Sequence, residues 1–98
     1  MTVRYSARAS ADLRAIADYI AERSPRGAGS VMRRIEATVA LIARHPGIGR
    51  KVRGRSRVLA LPVGKYPYRV YYFVEGGEPL IVHVRHGARR LPKASELA

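Results

Sequence analysis

The sequence predicts an α+β fold, with an N-terminal strand and an antiparallel α-helical hairpin packed on an antiparallel β-sheet of three to four strands. Two consecutive stretches in the first half repeat their apolar residues at helical spacing, separated by a Ser-Pro break. The second half carries short runs rich in β-branched and aromatic residues, punctuated by Gly and Pro. Helices followed by strands, without alternation of the two, is the order of a segregated α+β chain.

Val3-Arg-Tyr-Ser6 reads as a short first strand. Ser6 or Ser10 caps the first helix, its hydroxyl accepting a hydrogen bond from an otherwise unpaired amide. Leu13, Ile16, Ala17 and Ile20 then fall at i, i+3, i+4 and i+7, with Asp12, Arg14, Asp18 and Arg23 on other faces. That is an amphipathic helix. Ser24-Pro25 ends it and starts the next, with Ser as N-cap and Pro at the first helical position, where its missing N–H is harmless. Val31, Ile35, Val39 and Ile42 form the apolar stripe of the second helix, widened by Met32, Thr38 and Leu41, and His45-Pro46-Gly47 stops it.

Residues 48–56 read as a Gly- and Arg-rich loop, and residues 57–63 as a strand with Pro62 near its end, which suits an edge or a bulge. Gly64-Lys65 turns the chain. Residues 68–74 and 80–86 are the two strongest strands, joined through Glu75-Gly-Gly-Glu-Pro79, where the glycines supply positive φ. A basic tail comes after Gly87, with a short helix expected over residues 91–97.

Ninety-eight residues make one domain, 1–98, with a single modest core. No apolar run approaches the roughly 18 residues a membrane span requires, and no signal peptide is evident. The absence of cysteine excludes a disulfide framework, a thiolate metal site and a cysteine nucleophile. A cytoplasmic protein without membrane partner, small-molecule substrate or cofactor is the expectation. The charge is the anomaly: 19 Lys+Arg against 7 Asp+Glu gives +12, with no carboxylate side chain from His45 to Val74. Such a surplus on so small a chain points to a polyanionic or acidic partner.

Alternation sorts the last hairpin. Tyr68, Val70, Tyr72 and Val74 point one way and Arg69, Tyr71 and Phe73 the other; Leu80, Val82, Val84 and His86 oppose Ile81, His83 and Arg85. If the aliphatic sets share the buried face, residue 70 pairs near 84 and 72 near 82, with a three-residue loop at Gly76-Gly77-Glu78. Arg69 then lies opposite Arg85, and Tyr71 opposite His83. Like charges directly across a sheet are destabilising unless an anion bridges them, which argues for a binding face. Arg50, Lys51, Arg53, Arg55 and Arg57 add cations on the preceding segment, and Arg89, Arg90 and Lys93 beyond it. Guanidinium forks suit phosphate or carboxylate. Arg50, Arg53, Arg69, Arg85, Arg89 and Arg90 are therefore the candidate phosphate- or target-binding residues.

Groups for bond-making chemistry are sparse. No carboxylate pair is placed for acid–base work, and the three histidines form no metal set with a nearby carboxylate. Metal-free RNA cleavage needs a base, an acid and cations on the phosphate. Arg69, Arg85 and Arg89 can supply cations and Tyr71 or His86 a proton donor, but no base is found.

Four motifs, taken together, resemble the RelE/ParE superfamily of type II toxin–antitoxin toxins. They are Tyr5-Ser6 with Ala9, Asp12-Leu13, Ile16 and Tyr19-Ile20; His45-Pro-Gly-Ile-Gly-Arg50; Tyr68-Arg-Val70 with Tyr72; and Val84-Arg-His-Gly-Ala-Arg89. The resemblance implies a bacterial toxin neutralised by a cognate acidic antitoxin that folds onto the helical hairpin and the sheet. Leu59, Leu61, Tyr71 and Phe73 are its expected docking points if they share one face. RelE-like members cleave mRNA on the ribosome and ParE-like members poison DNA gyrase. Functional arginines of the nuclease branch match Arg69 and Arg89, whereas its catalytic lysines fall near Val58 and Ala60, which can neither take nor give a proton. The Asp12-Leu13 helix, the Pro-Gly-Ile-Gly-Arg segment and the His-Gly-Ala-Arg ending lie closer to ParE, so gyrase is the expected target and the ribosome with its mRNA the alternative. A non-toxic nucleic-acid-binding module is a third reading of the same charge.

Overall fold

The computed structural model describes residues 3–87. Strand β1 (Arg4–Tyr5) leads into helix α1 (Ala7–Arg23) through Ser6, whose Oγ accepts from Ala9 N at 3.0 Å. Ser6 also donates to the last strand, through its backbone N–H to Ile81 O (2.9 Å) and through Oγ to Val82 O (3.2 Å). One residue thus starts the helix and ties it to the sheet. Ser24 does double duty at the break: its N–H closes α1 onto Ile20 O, and its Oγ caps α2 (Pro25–Arg44) by accepting from Gly27 N at 3.0 Å. Helix α2 buries Val31, Ile35, Thr38, Val39 and Ile42. On α1 only Ala9 is fully buried, with Leu13, Ile16 and Ile20 packed more loosely on the same core.

A 3-10 turn over Pro46–Ile48 leads to β2 (Arg50–Val52), β3 (Arg55–Pro62), β4 (Tyr68–Glu75) and β5 (Glu78–His86). The sheet has five strands in the order β1-β5-β4-β3-β2, one more than the upper expectation. It is mixed rather than wholly antiparallel, because β1 runs parallel to β5 across the helical crossover. The extra strand is β2, expected as loop, which pairs antiparallel with β3 (Arg50 with Ala60, Lys51 with Leu59). Its short, basic sequence carries no alternation signal, yet suits an edge strand, where exposed charge opposes pairing with another chain. Pro62 forms the last rung of β3, opposite Arg69 and beyond the reach of β2.

The β4–β5 hairpin departs from expectation at its turn. Glu75 pairs with Glu78, so the loop is the two residues Gly76 and Gly77, with φ of 56° and 80°. Two successive positive φ values match a type I′ turn, whose twist fits that of the flanking strands. A bulge absorbs the odd residue: Tyr71 faces His83 but Tyr72 faces Ile81, leaving Val82 extra. Ile81 therefore joins Val70, Tyr72 and Val84 in the helix-side core, while Val82 lies on the far face with Tyr71 and Phe73. The expected assignment of Ile81 outward and Val82 inward is reversed. The far face carries a small apolar cluster of its own, with Val58, Tyr71, Phe73 and Val82 all buried. Among the described residues, no helix is long and apolar enough to cross a membrane.

Candidate target-binding face

The far face of the sheet holds a groove of about 610 Å³, with Arg50, Lys51, Arg53 and Arg69 around a floor that includes Ala60, Pro62 and Tyr71. The local sequence explains its shape. Strand β2 turns into β3 at Gly54, so its basic side chains come to stand beside the Arg69 end of β4. The segment before β2 is pinned from beneath. Tyr72, fully buried, donates from its hydroxyl to Pro46 O (2.7 Å) and accepts from Gly49 N (2.9 Å). Burial, opposed by the Gly49 hydrogen bond, pushes the Tyr72 phenol up from its ordinary pKa, which keeps its proton on and its donor role intact.

The register brings Arg69 opposite Arg85 and Tyr71 opposite His83, as alternation predicts. The side chains do not form an open cationic display, however. Tyr71 is 5% exposed and His83 only 1%. His83 is held between two partners: Nδ1 against Asp12 Oδ2, and Nε2 3.3 Å from Arg85 Nη1. Asp12 Oδ2 also accepts from Val84 N at 3.0 Å, so one carboxylate fastens α1 to the edge of β5. A guanidinium can only donate, so Nε2 accepts and the proton sits on Nδ1, directed at Asp12. Burial lowers the His83 pKa; Asp12 opposes that shift, and the Arg85 and Arg8 charges add to it. Burial therefore favours the neutral imidazole, which is 1% exposed and stands with Asp12 in the wall of a groove between α1 and the end of β5.

Of the expected anion-binding residues, Arg50, Arg53 and Arg69 converge on the groove, joined by Lys51. Arg85 is turned inward to His83, and Arg89 and Arg90 lie outside the described residues. Leu59, Leu61, Tyr71 and Phe73 do not share a face: the two leucines pack toward the helices, and the two aromatics on the far side with Val58 and Ala60. Side chains alternate along β3, so Leu59 and Leu61 share the face of Tyr72 and Val70, their cross-strand partners. His86 meets the edge of the Tyr68 ring at 5.7 Å, beside a second groove of about 380 Å³ between α1 and the end of β5. Arg57 lies over the Phe73 ring at 4.7 Å and is 3.5 Å from Glu75, which also pairs with Arg4.

Asp12, expected on another face of α1 than the apolar stripe and otherwise only as part of the family motif, instead turns to β5, a role that sequence reasoning missed. Its signal was present: with Ala9, Leu13 and Ile16 it shares one helical stripe, and an acid inside an apolar stripe needs a buried partner. Among the described residues lining the far-face groove there is no histidine or carboxylate, and Val58 and Ala60 lie on that same face. The arrangement can hold an anionic or acidic surface.

Comparison with known proteins agrees with this architecture. The chain is similar to Toxin RelE2 of Caulobacter vibrioides, at 38% identity over 82 residues covering 84% of this chain and 90% of the relative. It is also similar to Toxin RelE1 of the same organism, at 29% identity over 86 residues, covering 88% and 92%. A solved structure described as the chromosomal ParDE TA system from P. aeruginosa superposes with a TM-score of 0.72 at 26% identity, covering 88% of this chain and 95% of that one. A family model described as the ParE toxin of the type II toxin–antitoxin system parDE matches residues 3–91, and the chain belongs to that family.

Proposed function

We propose that this toxin acts by docking on DNA gyrase rather than by cutting RNA, and that a cognate acidic antitoxin neutralises it. The observation that carries this reading is the composition of the far-face groove: four cations, a largely buried tyrosine and apolar residues, with no histidine or carboxylate among the described residues that line it to serve as a base. Cleavage of a phosphodiester without metal needs a base beside the 2′-hydroxyl. Val58 and Ala60 stand on that face, and the nearby imidazole of His83 is enclosed between Asp12 and Arg85. Docking needs only shape and charge, both of which the groove supplies.

The antitoxin reading rests on the same charge. An acidic segment that folds on binding gains from cations and from half-buried apolar stripes such as that of α1. The membership of the ParE toxin family supports both readings. The experiment is a supercoiling assay with purified toxin and gyrase, run beside a ribosome-dependent mRNA cleavage assay. Loss of supercoiling or accumulation of cleaved DNA–gyrase complexes, without mRNA cutting, is the expected result; active gyrase at excess toxin overturns the proposal. The alternative, mRNA cleavage on the ribosome, draws on the relatives named RelE toxins. It predicts cutting that survives removal of gyrase from the assay.

A further inference from the structure

A second cationic site lies on the helix side of the molecule, away from the far-face groove. Ser30, Arg33, Arg34 and Ala37 fall at i, i+3, i+4 and i+7 on α2, and with Lys65 and Tyr66 they line a cleft of about 510 Å³. The sheet-facing residues of the same helix are Ile35, Val39 and Ile42, so this stripe is the outward one. The cleft is shaped by contacts rather than by chance exposure. Gly64, at φ +53°, leaves room for the Arg34 guanidinium: a Cβ there would stand 2.4 Å from Nε and 2.8 Å from Nη2. That contact seats Arg34 over the β3–β4 turn, next to Lys65. Arg33 Nη2 donates to Ser30 Oγ at 3.4 Å, and Lys65 Nζ stands 5.7 Å from the centre of the Tyr66 ring.

Among the described residues, no carboxylate lies within ion-pair distance of Arg33, Arg34 or Lys65. Three like charges around one cleft repel one another, and an entering anion relieves that repulsion. We propose that the Arg33–Arg34–Lys65 cleft is a binding site for the phosphodiester backbone of nucleic acid, separate from the face that meets the toxin's protein target. The cleft is larger than one phosphate, with Arg33 and Arg34 on α2 and Lys65 on the β3–β4 turn, which suits successive phosphates on a strand. An acidic peptide is the poorer fit. A segment that orders on binding must bury apolar side chains to offset its lost entropy, and Ala37 and Tyr66 are the only apolar surface here. Nucleic-acid interfaces are instead polar and strongly positive.

Binding of the full chain to a duplex of about 20 base pairs is measured by fluorescence anisotropy across a salt series. The variant Arg33→Ala/Lys65→Ala removes two phosphate contacts; the log–log salt slope should flatten by about 2 and the affinity fall about 60-fold near 0.1 M salt. An unchanged slope, with the loss appearing only in Arg50→Ala/Arg53→Ala, overturns the proposal. A second measurement needs no variant. The chain has only three lysines, Lys51, Lys65 and Lys93, so their acetylation rates are separable by mass spectrometry. Duplex should protect Lys65 several-fold. Equal Lys65 rates with and without duplex refute the site, as does equal protection by inorganic phosphate or by an oligoglutamate peptide at matched charge.

Discussion

Replacing Asp12 by Ala should cost this small domain a large part of its stability, although the carboxylate belongs to no surface ion pair. Its Oδ2 serves two donors, Val84 N at 3.0 Å and His83 Nδ1, and the histidine side chain is 1% exposed. A hydrogen bond to a charged acceptor contributes about 1.5–3 kcal/mol net, and removal leaves both donors unsatisfied. Because the carboxylate is 17% exposed, water can serve part of the vacated site, and the loss is set near the lower end for each bond, about 3 kcal/mol in all. For a domain of this size each kcal/mol lowers the melting temperature by about 4–8 °C, so the Ala variant should melt about 12–24 °C below the parent. Asp12→Asn retains an acceptor oxygen and loses only the charge; about 1 kcal/mol, or 4–8 °C, is expected. Thermal unfolding followed by circular dichroism at pH 7 is the assay, with amide exchange at Val84 as a local reporter. An Ala variant melting within about 4 °C of the parent, with Val84 still protected, would refute the role given to this carboxylate.

Tyr72→Phe should lose about 1–2 kcal/mol in chemical denaturation, because Pro46 O and Gly49 N lose their buried partner while the ring still fills the core. An unaltered midpoint would show that the hydroxyl is dispensable. The folded-state pKa of His83 is depressed, so the unfolded chain takes up its proton first as pH falls. The stability this group contributes is complete above the ordinary imidazole value of about 6.5 and is lost progressively below it. Urea titrations between about pH 7.5 and 5.5 should therefore show a steeper loss for the parent than for His83→Gln, with Asp12, Arg85 and Arg8 facing the site in both; parallel profiles would count against a neutral buried imidazole. The triple variant Arg50→Ala/Arg53→Ala/Arg69→Ala should weaken gyrase inhibition at least about tenfold, the equivalent of about 1.4 kcal/mol, without altering the fold. Full inhibition by that variant would move the target surface elsewhere.

The two helices were legible in the sequence because their apolar spacing and Ser caps are local signals, and Ser24-Pro25 marks the break to the residue. The long hairpin was legible for the same reason, and so were the pairs Arg69–Arg85 and Tyr71–His83. What escaped is set by tertiary context. Strand β2 gains its conformation from pairing with β3, not from Arg50-Lys-Val52 itself. The bulge arises from a two-glycine turn competing with the alternation of β5, and only the folded sheet decides where the odd residue goes. The groove's Arg50 and Arg53 were named from charge, and Arg69 from strand alternation and family resemblance, whereas the inward turn of Arg85 depends on His83, and that of His83 on an acid far back in the chain on α1.

That extra residue, Val82, also decides which side chains the two faces of the sheet receive. Without it the ladder would run on evenly from Ile81 to His83, the turn and every other pair keeping their places. The strand would lose the added twist that a bulge imposes. The far-face cluster of Val58, Tyr71, Phe73 and Val82 would lose one of its four buried side chains, so a single inserted residue both twists the strand and fills that second core.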